Sequence, residues 1–176
     1  MLPPNAPERW MRAALKEAES AFEEGETPVG AVIADLATGQ LLARAHGQTR
    51  ALNDPTAHAL MIALSQLSGG EVPADEMGFM DLDEAAALGE MEPATPSAER
   101  QLAAVLTHEP CAMCAGALLL IPGMRHVVIG APQKHSGALG SACDLTKLIP
   151  DARGIMVLRG VLEAECQALL VRAQKK

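Results

Sequence analysis

The chain of 176 residues has no apolar run of about 18 residues or more, the length that a membrane-spanning helix needs. Its first residues, Met1 to Asn5, also lack the basic stretch followed by an apolar core that marks a secretory signal. The length suits one globular domain that buries a core of its own. We therefore expect a single cytoplasmic domain over residues 1–176, with no membrane partner.

Basic residues are missing from one segment of the chain. Between Glu71 and Glu99 there are nine acidic residues and no Lys or Arg, whereas the remainder has 14 basic and 13 acidic residues. The remainder is thus nearly neutral and lacks the basic face on which non-specific nucleic-acid binding depends. The acidic segment contains three prolines and no sustained hydrophobic period. It is predicted to be an irregular insert at about 70–100, either a solvated loop or an edge or partner surface.

Outside this segment, stretches with the hydrophobic periodicity of a helix alternate with stretches that have the periodicity of a strand. Helices are predicted over 8–24, from Asp54-Pro55-Thr56 to Gly69, over 112–121 and over 163–173, and strands over 28–34, 41–45, 102–107, 126–130 and 154–158. A hairpin followed by alternating strands and helices indicates an α/β fold with a mixed sheet that helices cover on both faces.

Three residues have the types and spacing of a metal site. Cys111 and Cys114 form a Cys-x-x-Cys pair at a predicted helix start, and His58 lies at the start of another helix. Three ligands of this kind with one open position are typical of catalytic Zn²⁺. The helix starts also predict lowered thiol pKa values. A redox motif, or simple packing of these side chains, is the alternative; the other two cysteines, Cys143 and Cys166, are expected to pack in the core.

Several segments carry a resemblance to a known family. They are Thr27–Val32, Asp54–Ala59, Glu109–Ala117, Ser136–Ser141 and Gly160–Leu170. They resemble the bacterial tRNA adenosine deaminases of the cytidine deaminase-like superfamily, which convert the wobble adenosine to inosine. The resemblance implies a three-layer α/β/α domain with a central mixed sheet, a homodimer, and a substrate that is a nucleobase or nucleoside, in these relatives within tRNA. It also implies zinc on His58, Cys111 and Cys114, and a base pocket lined by Pro28, Val29, Ala57 and Pro110.

Two positions depart from that family. Zinc deaminases carry a proton-shuttling glutamate two residues after the ligand histidine, and here that place is Leu60. Gly47 stands nearest to the place of an asparagine that holds the base in family members. Leucine cannot transfer protons, and loss of general acid–base catalysis costs about a hundred- to ten-thousandfold in rate.

His108 is a candidate substitute for the missing proton carrier, because an imidazole near the metal can relay protons. Glu109 is interpreted as structural, since the family has a glutamate there besides its catalytic one. The other histidines, His46, His126 and His135, have no ligand spacing and are expected on the surface or in loops. Two hypotheses follow: a divergent hydrolytic deaminase, or an inactive zinc-binding paralogue that acts as a partner or regulatory subunit. The second includes a heterodimer with an active paralogue.

Overall fold

A computed structural model describes residues 2, 4–69, 100–152 and 154–175 of the chain. These residues contain five strands, β1 (Gly30–Asp35), β2 (Leu41–His46), β3 (Leu102–His108), β4 (Met124–Ala131) and β5 (Met156–Arg159). They form one mixed sheet in the order β2-β1-β3-β4-β5, in which β1 pairs antiparallel with β2 and β3, and β3, β4 and β5 are parallel. The predicted mixed sheet is confirmed.

The described residues contain four α-helices, α1 (Ala6–Glu23), α2 (Ala59–Leu67), α3 (Ala112–Leu119) and α4 (Glu163–Gln174). Each lies where the sequence predicts a helix, within about two residues at most ends. None of them is long and apolar enough to span a membrane. The acidic insert predicted at about 70–100 falls almost entirely outside the described residues.

The helices cover both faces of the sheet, as the sequence predicts. Successive side chains of β1 point to opposite faces, so Val32 packs in the core that α1 and α4 share, whereas Ile33 packs in the core below α2 and α3. Trp10 of α1 and Cys166 of α4 belong to the first of these cores. The architecture is thus a three-layer α/β/α domain.

Helix α1 lies directly on β1. A Cβ atom at Gly30 would lie 1.9 Å from the carbonyl oxygen of Ala14, so only glycine permits this approach. On the same face, Cys166 packs against Met11 with its sulfur 3.8 Å from the Met11 sulfur, which confirms its predicted packing role. The prediction is wrong for Cys143, which is exposed in the loop after β4.

Candidate metal centre and base pocket

The three predicted ligands come together at two helix starts. His58 caps the N-terminus of α2, Cys111 caps that of α3, and Cys114 follows one turn into α3. The His58 Nδ1 atom lies 3.7 Å from the Cys111 sulfur and 3.5 Å from the Cys114 sulfur. All three ligand atoms lie within 4.8 Å of one another, and they form the one such cluster found among the described residues.

These distances fit a tetrahedral zinc ion. With Zn–S near 2.3 Å and Zn–N near 2.0–2.1 Å, tetrahedral angles separate sulfur from nitrogen by about 3.6 Å. The two observed separations, 3.7 and 3.5 Å, lie on either side of that value. One imidazole and two thiols also have the ligand softness that suits zinc. The residues present therefore fit the metal.

The pKa of the Cys114 thiol differs from the lowered value that the sequence predicts. Burial raises its pKa to about 12, and the neighbouring Cys111 thiol adds to the increase. The helix start therefore does not by itself make this sulfur anionic, because desolvation outweighs it. Metal coordination deprotonates a thiol, so thiolate formation and zinc binding would be coupled at this site.

A pocket of about 270 Å³ adjoins the cluster. Ligand pockets for drug-sized molecules begin near 300 Å³, so this one suits a single heterocyclic base better than a large ligand. Besides the three ligands and Ala59, its wall is formed by apolar Val29, Leu60, Leu106 and Pro110, by Gly47, and by polar Glu26, Thr27, Thr49, His108, Glu109, Gln133 and Ser136.

The residues predicted to line the pocket divide into two groups. Val29, Gly47 and Pro110 contribute to its wall. Pro28 and Ala57 are buried beside it and are not among the lining residues. The Ala57 carbonyl instead accepts a hydrogen bond from the Gln48 N–H, at 2.9 Å, and so closes the base of the loop that leads to His58.

Leu60 occupies the first turn of α2, two residues after His58, and its side chain is 3% exposed. It belongs to the core between the sheet and α2 and also lines the pocket. An apolar group therefore stands where the sequence resemblance places a proton-shuttling carboxylate. This side chain offers no acceptor or donor to a bound molecule.

Glu109 holds the loop after β4, as its structural interpretation predicts. Its carboxylate accepts hydrogen bonds from the backbone N–H groups of Gln133, Leu139 and Ser141 at 3.0–3.2 Å, and from the Ser141 hydroxyl. Burial alone would raise the pKa of Glu109, but these donors hold it below its usual value. Both carboxylate oxygens therefore accept hydrogen bonds that hold this loop in place.

A second lining carboxylate, Glu26, was not identified from the sequence. Its side chain is 6% exposed and accepts hydrogen bonds from the N–H groups of Arg50 and Ala51, at 2.7 and 2.8 Å, and from the Thr49 hydroxyl, at 3.2 Å. It fixes the loop after β2, which carries Gly47 and leads to His58. No local sequence signal predicts this role, because the partners lie more than twenty residues away.

The histidines outside the cluster lie in different surroundings. His108 lines the pocket, and burial lowers its pKa, with a partial offset from the Thr107 backbone and the Glu109 charge. His46 and His126, expected on the surface or in loops, are instead buried in β2 and β4. His135 is exposed in a turn, as expected.

Comparison with known proteins gives the family. Residues 4–131 match the cytidine and deoxycytidylate deaminase zinc-binding region. The chain is 34% identical over 163 residues to the tRNA-specific adenosine deaminase of Bacillus subtilis (strain 168), which covers 93% of this chain and 85% of that protein. It is 30% identical over 132 residues to that of Aquifex aeolicus (strain VF5), covering 75% and 71% of the two chains.

A different relative contains the domain as one part of a longer chain. The tRNA(Ile)-lysidine synthase of Thermus thermophilus is 38% identical over 170 residues, which make up 97% of this chain and 25% of that protein. Among solved structures, one from a study of A-to-I editing by tRNA:A34 deaminases has a TM-score of 0.64 at 28% identity, covering 92% of this chain and 99% of that chain. Together with the family match and the His/Cys/Cys cluster, these likenesses show that the chain belongs to the cytidine and deoxycytidylate deaminase zinc-binding family.

Proposed function

We propose that this protein binds zinc through His58, Cys111 and Cys114 and holds a nucleobase or nucleoside in the adjoining pocket without deaminating it efficiently. The observation that carries the proposal is the buried leucine at position 60. When bound in such a site, zinc acts as a Lewis acid that activates water for attack on the base. The protein must then move protons to and from the reacting atoms, and Leu60 cannot do so.

Neither lining carboxylate is free to replace the missing glutamate. Glu26 accepts three hydrogen bonds from Thr49, Arg50 and Ala51, and Glu109 accepts four from the loop after β4. Moving either carboxylate towards a ligand would leave buried N–H groups without acceptors, at about 1–3 kcal/mol for each. The chain's own residues therefore support binding and orientation of a base more than proton transfer.

The proposed ligand lies within tRNA. Support comes from the names of the relatives, two of which are tRNA-specific adenosine deaminases and one of which acts on tRNA(Ile). The shared feature of these relatives is a tRNA substrate, whereas the solved guanine deaminase from Nitrosomonas europaea, at 23% identity, supports the fold alone. The pocket size agrees with one base or nucleoside turned into the site.

The test measures binding and turnover separately. Zinc-loaded protein is titrated with adenosine, guanosine, cytidine and a tRNA anticodon stem-loop, and ammonia release is followed in the same samples. We expect saturable binding of at least one of these four ligands without enzyme-like release of ammonia. Enzyme-like turnover of any member, or no binding at all, would contradict the proposal.

A partner role is the second proposed function. The relative in which this domain forms a quarter of a tRNA(Ile)-lysidine synthase favours it, since domains fused in one species can associate as separate chains in another. The partner is either such a synthase or an active deaminase paralogue in a heterodimer, in place of a homodimer. Light scattering of the chain alone and mixed with each candidate would identify the complex; a mass that never changes on mixing rejects this role.

His108 supplies the remaining alternative, a deaminase with an unusual proton carrier. It lines the pocket, and burial lowers its pKa, so it is neutral and able to accept a proton near neutral pH. If it carries protons, His108→Gln should abolish any residual ammonia release while zinc content stays constant. Residual release that survives this substitution would reject the alternative.

A further inference from the structure

His108 lies at the carboxyl end of β3, and the protein satisfies its imidazole only in part. Its Nδ1 atom is enclosed and has no hydrogen-bond partner within the part of the chain that the structure describes. Because the residue lines the pocket while Nδ1 is enclosed, we infer that Nε2 is the ring nitrogen that a bound molecule can reach. Polar groups in protein interiors are normally hydrogen-bonded, and an incompletely satisfied one calls for an explanation.

The position of His108 in the sheet suits contact with a ligand. Strands β3 and β4 are parallel neighbours, with His108 opposite Ala131, and the pocket opens at their carboxyl ends. Ligands of open α/β sheets commonly bind outside the carboxyl ends of the strands. The rigid sheet thus holds the imidazole at a fixed place on the pocket wall.

The two carboxylates of the wall already accept hydrogen bonds from the protein. Glu26 and Thr49 are bonded to each other, and Glu109 is bonded to the loop after β4. Gly47 contributes no side chain at all. Among the ionisable side chains of this wall, apart from the metal ligands, His108 is therefore the one with a buried ring nitrogen that has no hydrogen-bond partner within the described residues.

We propose that His108 determines base specificity: its Nε2 forms a hydrogen bond with a ring nitrogen or exocyclic group of the bound nucleobase. The inference rests on the proposed function, namely that this pocket holds a base. A neutral imidazole has one donor and one acceptor nitrogen, so Nε2 can either donate to a bound base or accept from it. The role is one of recognition and requires no proton transfer.

The experiment compares protein variants with ligands that each lack one polar group. The tightest ligand among adenosine, guanosine and cytidine is chosen first, by equilibrium titration of zinc-loaded wild type. Its deaza analogues, and the analogue without the exocyclic group, are then titrated into wild type, His108→Phe and His108→Gln. His135→Phe is the matched control, because His135 is exposed and does not line the pocket.

We expect wild type to bind one analogue about fivefold more weakly than the parent, the usual effect of losing one neutral hydrogen bond. His108→Phe should bind that analogue and the parent equally, His108→Gln should recover part of the difference, and His135→Phe should keep all of it. If both His108 variants still bind that analogue more weakly than the parent by the wild-type factor, with zinc content and melting temperature unchanged, this inference is wrong and the proposed function stands. If wild type binds only the tRNA anticodon stem-loop, the same analogues are placed at its target base; failure to bind both the nucleosides and the stem-loop would overturn the proposed function and this inference with it.

Discussion

At the scale of single residues, the proposal of inefficient deamination depends on position 60. Leu60 lines a pocket whose other elements, three metal ligands and a base-sized space, are in place. A glutamate there would regain a group that can exchange protons with water and with a leaving amine. Burying it costs stability unless polar groups of the site pair with it.

We predict that Leu60→Glu raises ammonia release by about a hundredfold or more on the substrate that the pocket admits. The control is Leu60→Gln, which introduces a polar side chain of nearly the same size that cannot ionise. Kinetics of zinc-loaded samples decide the matter: equal rates for wild type and Leu60→Glu, at enzyme-like values, would mean that another residue carries the protons. Adding Gly47→Asn should lower the apparent KM, because Gly47 stands nearest to the place of the asparagine that holds the base in family members. The site has room for this side chain, since a Cβ at Gly47 would make only ordinary contacts, 3.7 Å to the Ala59 nitrogen and 3.8 Å to the Ala57 oxygen.

The second prediction at this scale concerns the metal. Purified chelator-free protein should contain one zinc per chain, and Cys111→Ser should lose most of it, since one of the three ligands is removed. Cys143→Ser is the matched control, because that thiol is exposed and lies outside the cluster. Elemental analysis gives the answer, and full zinc content in Cys111→Ser would exclude the proposed ligand set.

At the scale of elements, the sequence predicts well what depends on local periods and poorly what depends on distant partners. The apolar spacing of Trp10, Met11 and Ala14 locates α1, and the Cys-x-x-Cys pair locates the start of α3. The carboxylate of Glu26 gives no such signal, because it acts on a loop more than twenty residues along the chain. His46 was misplaced for the same reason: its partners lie on another element.

Glu26 is predicted to stabilise the loop that joins β2 to His58. Replacing it by Ala removes the acceptor of the N–H groups of Arg50 and Ala51, so we expect a loss of about 1–3 kcal/mol in the free energy of unfolding. Base affinity should fall as well, since Gly47 and Thr49 line the pocket from this loop. Chemical denaturation compared with the exposed Glu23→Ala variant checks this, and equal stability of the two variants would contradict it.

The contacts of His46 with Glu17 and Glu24 predict that the stability of the protein depends on pH through the packing of β2 on α1. Burial alone would lower its pKa, but hydrogen bonds and charges from Glu17 and Glu24, at 3.4 and 3.0 Å, raise it above the usual value. A raised pKa in the folded state stabilises the protein fully below the unfolded-state pKa of about 6.5, and this stabilisation is lost as pH rises through the raised value.

Wild type should therefore exceed His46→Gln in unfolding free energy by more at pH 6 than at pH 9. We expect a change on the order of 1 kcal/mol or less, because Glu24 is half exposed and solvent screens its charge. Denaturant titrations at both pH values measure it, with His135→Gln as the exposed control. A difference between wild type and His46→Gln that does not vary with pH would contradict the argument.

At the scale of the whole molecule, the sheet and the metal cluster are both assembled from residues on either side of positions 70–99, which lie outside the described residues. The sheet pairs β1 with β3 across that gap in sequence, with Ala31 opposite Leu106. The metal cluster likewise joins His58 to Cys111 and Cys114. The described sheet and the three ligands therefore depend on residues from both sides of the acidic insert.

We predict that the insert is dispensable for folding. A variant in which a short Gly/Ser linker replaces residues 71–99 should stay soluble, melt cooperatively and keep one zinc per chain, because the acidic, proline-containing sequence of this segment predicts an irregular loop and all three ligands lie outside it. Its net charge should change from −8 to about +1, which ion-exchange chromatography verifies. Insoluble or zinc-free protein would show that the insert belongs to the core.

The ligands of the metal cluster are divided between the two sides of the insert. His58 comes from the part of the chain before it, and both sulfurs come from the part after it, 53 and 56 residues further on. One break of the backbone within the insert would therefore yield two fragments, neither of which holds the whole ligand set, while β1 and β3 would still pair between them. The domain is therefore suited to fragment complementation, in which zinc binding would report that the two fragments have associated.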